Sequence, residues 1–175
     1  MKLNLGCGNK VVKGFVGVDK FNCDAAEVIC DIENEALPFE DDSVDEILLD
    51  NVIEHFFDIP GVFKELIRVS KEGCTIKIIT PHFSSISSWI DPTHIHHLSF
   101  FSFDHFEKQS VSHYIGKGLM IKNKKLSFSG SLFGLIGRVI FKLSPRKYEE
   151  KYCFIFRAST LTFWIKVLEK NSSNS

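Results

Sequence analysis

The sequence lacks the features that would set a 175-residue chain apart from ordinary globular proteins. It has no basic excess: 21 Lys and Arg face 22 Asp and Glu, and the net charge of −1 argues against nucleic acid as the main partner. It also lacks an uncharged apolar run of 18 residues, and no signal peptide precedes the first apolar segment. We therefore expect no membrane span and a cytoplasmic location.

The five cysteines lack any recognisable pattern. Their number is odd, no Cys-x-x-Cys pair occurs, and most stand beside apolar residues, which disfavours both a disulfide framework and a zinc site. What the chain does have is a 44% hydrophobic composition. At this length, one domain buries roughly 70% of the surface that its unfolded chain exposes. We expect a single domain over residues 1–170 and a disordered polar tail over 171–175.

The first apolar segment ends in a glycine pair. Leu3 and Leu5 alternate with polar residues before Gly6 and Gly8, which predicts a buried strand that stops in a tight turn. In open α/β sheets, ligands bind beyond the carboxyl ends of the strands, beside such turns.

The glycine pair does not belong to a complete dinucleotide fingerprint. Val11 stands where the third glycine is expected, and only eleven positions separate Gly8 from Asp19, the acid that ends the second predicted strand. That path is too short for the full helix whose N-terminus would hold a pyrophosphate. Asp19 either begins a turn or accepts hydrogen bonds from two ribose hydroxyls. The pattern favours a cofactor that has a ribose but no phosphate.

Short motifs then follow one another in a fixed order. They are Leu3-Asn4-Leu5-Gly6-Cys7-Gly8-Asn9, Gly17-Val18-Asp19, Asp31-Ile32, Leu37-Pro38-Phe39, Ser43-Val44-Asp45-Glu46-Ile47 and Val52-Ile53-Glu54-His55. With them, residues 3–106 resemble the class I S-adenosylmethionine-dependent methyltransferases, and more narrowly the small ones of surface-polysaccharide and other glycan pathways. The resemblance implies a Rossmann-like, doubly wound α/β fold. Its seven-stranded sheet is mostly parallel, is flanked by helices and has one antiparallel strand near the C-terminus.

The resemblance also implies a site for S-adenosylmethionine, with S-adenosylhomocysteine as the product. Four loop residues would approach the methionine part: Gly6, Cys7, Gly8 and Asn9. Asp19 would bind the ribose, while Asp31 and Ile32 would border the adenine. Three residues after the fourth strand would close the pocket: Asn51, Val52 and His55. Many family members have a helical extension before the first strand, and we expect none here, because the first predicted strand begins at Leu3. Either the pocket is more open here or a second subunit covers it, as in a homodimer.

Four histidines fall within residues 82–97, and Pro92 after Asp91 predicts a loop there. Methyl transfer needs the acceptor held against the methyl group, and an alcohol must also lose a proton, for which imidazole is the usual base. We predict His94 as this base, Asp91 as the residue that orients it or the substrate, and His82 as the second candidate. Any single histidine is more often structural. His94, His96 and His97 with Asp91 could in principle bind zinc, but because neighbouring ligands in one loop rarely converge, we expect no metal.

Hydrophobic patterns predict the remaining elements. A helix from Ile59 should end at Gly73, and another should open near Ser99 or Ser102. Strands are expected at 28–32, 74–80, 121–128 and 159–169. The apolar segment 132–143 has a basic end that reaches residue 147, and it is too short to cross a bilayer. It is either a buried or dimer-forming helix or a helix lying on an anionic membrane near a lipid-linked acceptor.

These observations predict an S-adenosylmethionine-dependent methyltransferase, O-directed on a sugar or other small polar acceptor. The alternative is a non-catalytic protein that binds the same cofactor as a partner or sensor, and a nicotinamide enzyme is a further rival. The sequence does not name the acceptor, because a fold does not determine its substrate.

Overall fold

The computed structural model describes residues 1–107 and 118–168, so the predicted tail at 171–175 lies outside the described residues. Seven described strands form one sheet: β1 (Lys2–Leu5), β2 (Val16–Asp19), β3 (Val28–Ile29), β4 (Val44–Asp50), β5 (Ser70–Pro81), β6 (Leu119–Phe128) and β7 (Ala158–Val167). Their order across the sheet is β3-β2-β1-β4-β5-β7-β6. The first five are parallel, and β7 is antiparallel to both of its neighbours. The predicted fold class is confirmed.

Alternating apolar residues place the strands in the core. On β7, four side chains spaced two apart are buried while those between them are half-buried: Leu161, Phe163, Ile165 and Val167. Each such side chain contributes roughly 1.5–3 kcal/mol through removal from water. β3 is shorter than the predicted strand 28–32, because only Val28 and Ile29 pair with β2.

Helix α1 (Ile59–Val69) packs one apolar face against the sheet. The Asp58 carboxylate caps it by accepting a hydrogen bond from the Gly61 amide at 2.9 Å. The predicted end at Gly73 is wrong, because Ser70 is already extended and pairs with Val44 as the first residue of β5. Gly73, with a φ of +78°, lies instead where the register between β4 and β5 shifts.

Within residues 1–107 and 118–168, only α1 and α3 (Leu132–Leu143) exceed two turns. The helix expected near Ser99 or Ser102 is α2 (Asp104–Glu107), which begins later and is short. Short helical segments also occur at Ile53–His55, Ile86–Ser88, Pro145–Lys147 and Tyr148–Tyr152. No described helix has both the length and the apolar character needed to cross a bilayer. The connections between β1 and β3 are helix-free loops, so loop residues themselves form the walls at that edge of the sheet.

Candidate active site

A cavity of about 560 Å³ opens beyond the carboxyl ends of β1, β2 and β4. Six of the predicted cofactor residues line it: Gly6, Asp19, Asp31, Ile32, Val52 and His55. Thr93 and Ile95 line it from the histidine loop, which we define as residues 82–97. That loop therefore covers one side of the cavity.

At Gly6 the backbone lies close against Val52, another residue of the cavity lining. Its φ is +63°, and its amide donates a hydrogen bond to the Val18 carbonyl at 2.8 Å, which joins the turn to β2. A Cβ atom at this position would lie 2.3 Å from Cγ2 of Val52. Both the backbone conformation and the space require glycine here.

Asp19 ends β2 with its carboxylate at the cavity. One oxygen accepts a hydrogen bond from the Gly8 amide at 2.9 Å, and the other accepts one from the Phe21 amide at 3.0 Å. A carboxylate oxygen offers about two lone pairs, so each retains capacity for a ligand hydroxyl. Asp19 therefore does two things: it holds the glycine loop in place, and it presents negative charge to the cavity.

Asp31 and Ile32 lie just after β3 and line the neighbouring wall. The Asp31 carboxylate is held by the Glu33 amide at 3.2 Å and by the side-chain amide of Asn34 at 2.9 Å. Among the aromatic side chains at this cavity that the sequence interpretation missed, Phe21 and Phe57 are 67% and 82% exposed. The sequence did offer a signal for both, because Phe21 comes two residues after Asp19 and Phe57 two residues after His55.

Four predicted cofactor residues do not line the cavity but shape the loops around it: Cys7, Gly8, Asn9 and Asn51. Gly8 has a φ of +51° and directs its amide at Asp19, while the Asn9 side chain accepts a hydrogen bond from the Asp24 amide at 3.1 Å. Asn51, also left-handed with a φ of +55°, donates its amide to the Ile79 carbonyl at 2.8 Å. Their role in binding the cofactor stays a prediction.

Cys7 is buried under the glycine loop. Burial, with smaller contributions from Cys23 and Asp19, raises the pKa of its thiol to about 11. Cys7 therefore remains a neutral thiol near pH 7.

His94 and Asp91 are not among the residues that line the cavity, and His94 is nearly enclosed, with 8% of its side chain exposed. Its Nδ1 lies 3.2 Å from the Ser88 carbonyl oxygen, which can only accept, so the hydrogen resides on Nδ1. The lone pair is then on Nε2, which lies 3.8 Å from a Glu54 carboxylate oxygen and 3.9 Å from Asp91. The structure thus places His94 and Asp91 near each other, and their catalytic roles stay predictions.

Glu54 is the residue at this cluster that the sequence interpretation did not select. It is 1% exposed; one carboxylate oxygen accepts a hydrogen bond from the Thr80 hydroxyl at 3.0 Å, and Oε1 has no hydrogen-bond partner among the described residues. Burial raises the pKa of its carboxyl group. Its place next to His55 in the sequence was the only sign of a role.

Asp91 and His55 are joined through Thr93. The Thr93 hydroxyl donates to Asp91 at 2.6 Å, and His55 Nδ1 lies 3.2 Å from the Thr93 carbonyl oxygen. The Thr93 hydroxyl and the Thr93 backbone amide, which donates to Asp91 at 2.9 Å, hold the pKa of Asp91 below its usual value. The rings of His55 and His94 meet edge to face with centroids 4.7 Å apart. His55 therefore lies between the cavity and His94.

His82, the second predicted base, does not line the cavity. Its side chain is fully buried, Nδ1 accepts from the Ser84 amide at 3.1 Å, and Nε2 donates to Glu149 at 3.1 Å. With both nitrogens engaged, His82 connects the end of β5 to the segment around residue 149.

Two groups of described residues have ligand atoms close enough to hold a metal ion: Cys7, Asp19 and Cys23, and Glu54, His55 and His94. The first contains the neutral thiol of Cys7, which would have to lose its proton to coordinate. The second combines one carboxylate with two imidazoles, a donor set that zinc accepts. Of the loop histidines only His94 joins this group, so the ligands come from separate segments and not from the loop alone.

Comparisons with known proteins agree with this geometry. A protein-family model described as "Methyltransferase domain" matches residues 7–78. A structure described as an S-adenosylmethionine-dependent methyltransferase from Archaeoglobus fulgidus superposes with a TM-score of 0.61 at 17% identity, covering 94% of this chain and 85% of that one. No curated protein shows significant sequence similarity to the chain.

Two further solved structures share the fold at low identity. The complex between the Haloferax volcanii Trm112 methyltransferase activator and the putative methyltransferase matches with a TM-score of 0.60 and 15% identity, covering 97% of this chain and 82% of that one. The [4+2]-cyclase SpnF matches with a TM-score of 0.62 and 12% identity, covering 97% and 74%. The domain match and the shared fold together support the predicted enzyme class, a methyltransferase, and S-adenosylmethionine as its cofactor.

Proposed function

We propose that this protein is an S-adenosylmethionine-dependent methyltransferase that methylates a hydroxyl group of a sugar or another small polar acceptor. The observation that carries the proposal is the cavity. The glycine turn, the acid that ends β2 and the residues after β4 all line it. The methyltransferase-domain match over residues 7–78 supports the same conclusion from the sequence. The acceptor class rests on the resemblance to enzymes of glycan pathways.

The residues around the cavity fit this cofactor. Asp19 offers charged acceptors to the two ribose hydroxyls, and Asp31 can accept from the exocyclic amine of adenine. The exposed rings of Phe21 and Phe57 provide flat apolar surfaces for the base. Gly6 brings the backbone against Val52 with no side chain between them. In the described residues no helix follows the glycine turn before β2, so no helix N-terminus there directs amides at a phosphate, which the cofactor lacks.

When bound, S-adenosylmethionine supplies a methyl group on a sulfonium, whose carbon–sulfur bond breaks as a carbon–oxygen bond to the acceptor forms, leaving S-adenosylhomocysteine. The protein has to position the acceptor and receive its proton. Positioning alone lowers such barriers by roughly 7–11 kcal/mol, and a general base adds about 10²–10⁴-fold.

His94 is the general base in this proposal. Its Nδ1 hydrogen is committed to Ser88, so Nε2 is the nitrogen that takes the acceptor proton. The imidazolium that forms then lies 3.8 Å from Glu54 and 3.9 Å from Asp91, and both carboxylates stabilise its charge. Glu54 acts as a positioning residue in this proposal, because its buried Oε1 lies 3.8 Å from Nε2 of His94 and acts through that imidazole.

The test compares His94→Ala with a matched control, His97→Ala. His97 lies in the same loop, but its ring stacks on Trp89 with centroids 3.6 Å apart, and its Nδ1 lies 2.9 Å from the Ser88 hydroxyl. His94→Ala is expected to lower kcat by about 10²–10⁴-fold with S-adenosylmethionine affinity retained, while His97→Ala keeps its rate. Equal rates for wild type and His94→Ala would remove the base assignment.

Glu54→Gln separates stabilisation of the imidazolium from a purely structural role. Without the carboxylate, His94 loses part of the field that favours its protonated form. We expect a lower kcat and an acid limb of the pH–rate profile displaced to lower pH. A reduced rate with an unchanged profile would assign Glu54 a structural role only.

The non-catalytic alternative makes a different prediction for the same proteins. SpnF shows that this fold also occurs in a protein described as a cyclase, so the fold alone does not establish methyl transfer. A partner or sensor would bind S-adenosylmethionine tightly and transfer its methyl group to no acceptor.

A further inference from the structure

Helix α3 presents an apolar face to solvent. Leu132, Ile136, Val139 and Leu143 recur at helical spacing, and Leu143 is 82% exposed. The structure argues against a buried helix, because the described residues leave these side chains exposed, and a dimer-forming helix and a helix on a membrane are the alternatives that remain.

The opposite face of α3 explains why the apolar side chains point outward. Its two buried residues are Gly134 and Gly137, which pack directly on neighbouring backbone. A Cβ atom would lie 2.2 Å from the Ser129 carbonyl oxygen at Gly134 and 2.8 Å from that of Phe156 at Gly137. No larger side chain fits on this side, so the helix cannot rotate to bury its apolar face.

Basic residues surround the same surface. Residues 131–157 contain six Lys and Arg and two Glu, in a chain whose net charge is −1. All six are exposed: Arg138, Lys142, Arg146, Lys147, Lys151 and Arg157. Of the two acids, Glu150 pairs with Arg146 at 3.0 Å, and Glu149 is directed inward to His82 and the Phe100 amide.

The apolar surface continues toward the active site. Phe133 on α3 contacts Phe156 at a centroid distance of 5.7 Å, and the exposed Phe154 contacts Phe83 of the histidine loop at 5.6 Å. The Trp89 indole donates to the Phe83 carbonyl at 2.7 Å, and its ring is 56% exposed. One side of the molecule therefore carries apolar side chains from α3 to the loop that covers the cavity.

We propose that this surface, α3 together with Phe154 and Trp89, binds an anionic lipid bilayer. The charge decides between the two occupants that an apolar face suggests. Two copies meeting through this face would bring their basic residues together, whereas an anionic bilayer accepts apolar side chains between lipids and neutralises the surrounding Lys and Arg.

Lipid binding would place the histidine loop at the membrane. The consequence for catalysis rests on the function proposed above: the acceptor would be a polar group carried at the bilayer surface, such as the head group of a lipid-linked glycan. Binding itself is independent of methyl transfer and can fail or succeed without it.

The experiment is flotation of the full-length protein with vesicles of phosphatidylcholine alone and with added phosphatidylglycerol, at low and high salt. Leu143→Glu is compared with Val11→Glu, which introduces the same charge at a residue that is 78% exposed and distant in sequence from α3. A third variant, Arg138→Gln with Lys142→Gln, removes two positive charges. Calorimetry with S-adenosylmethionine shows whether each variant keeps its cofactor site.

We expect flotation with the anionic vesicles only, weakened by salt. Leu143→Glu and the double Gln variant should each lower binding by about tenfold or more, with Val11→Glu unchanged. No flotation of the wild type at low salt would overturn the proposal. So would sedimentation of a dimer that Leu143→Glu dissociates, because the face would then be covered by a second copy. Normal cofactor binding in either case would leave the proposed function standing.

Discussion

Asp19→Asn removes the charge that the cavity presents to a ribose. The carboxylate accepts hydrogen bonds from the amides of Gly8 and Phe21, one on each oxygen. An asparagine has one oxygen and one NH2 group, so the NH2 would face one of these backbone donors. The substitution therefore weakens the ligand contacts and disturbs the glycine loop together.

The magnitude follows from the number of charged hydrogen bonds. Each hydrogen bond to a charged acceptor contributes about 1.5–3 kcal/mol, and a factor of ten in affinity corresponds to about 1.4 kcal/mol. Loss of one ribose contact at full strength predicts a Kd for S-adenosylmethionine raised by roughly 10–150-fold. Loss of both would exceed that range.

Isothermal titration calorimetry with S-adenosylmethionine, S-adenosylhomocysteine and NAD measures the effect directly. Thermal unfolding of the variant checks that it is folded, and Glu27→Gln, at a residue outside the cavity lining, controls for loss of a carboxylate. A Kd within twofold of wild type, or wild-type protein that binds NAD in place of S-adenosylmethionine, would refute the assignment of Asp19.

Three further predictions concern the same site. Gly6→Ala should destabilise the fold by about 1–3 kcal/mol, seen in thermal unfolding, and weaken cofactor binding, because its Cβ would lie 2.3 Å from Val52 at a φ of +63°; an unchanged midpoint and Kd would contradict this. Burial raises the pKa of Glu54 in the folded protein above its unfolded value of about 4.3. The contribution of protonated Glu54 to the free energy of unfolding is therefore fully present below the unfolded pKa and is lost as pH rises through the folded pKa. Glu54→Gln should therefore match the wild-type unfolding midpoint near pH 4 and exceed it near pH 8, and a pH-independent difference would argue otherwise. Chelator-treated enzyme should keep its rate, because His94 must be free of metal to take the proton of the acceptor. Activity that is lost on chelation and restored by zinc would instead make Glu54, His55 and His94 a metal site.

Individual strands and part of the cofactor wall follow from local sequence signals. The alternation at Leu161, Phe163 and Ile165 predicts β7, and the acid after each of the short strands β2 and β3 predicts Asp19 and Asp31 at the cavity. These features depend on residues near one another in the chain, where periodicity and turn residues carry the information.

Other features depend on contacts between distant segments. Glu54 and His94 are forty positions apart, and only the fold places their side chains 3.8 Å from each other. The end of α1 was misplaced because Gly73 looks like a helix cap, whereas pairing of Ser70 with Val44 begins the strand earlier. The outward face of α3 likewise depends on close packing at Gly137, which an apolar pattern does not reveal.

The most direct test of the central claim is transfer of a labelled methyl group. Wild-type protein is incubated with methyl-deuterated S-adenosylmethionine and pools of nucleotide sugars and lipid-linked glycans, and the products are read by mass spectrometry. We predict label on a hydroxyl-bearing acceptor with an equal amount of S-adenosylhomocysteine, and almost none with His94→Ala. Tight binding of S-adenosylmethionine with no label on any acceptor would contradict the enzyme and leave a cofactor-binding partner or sensor.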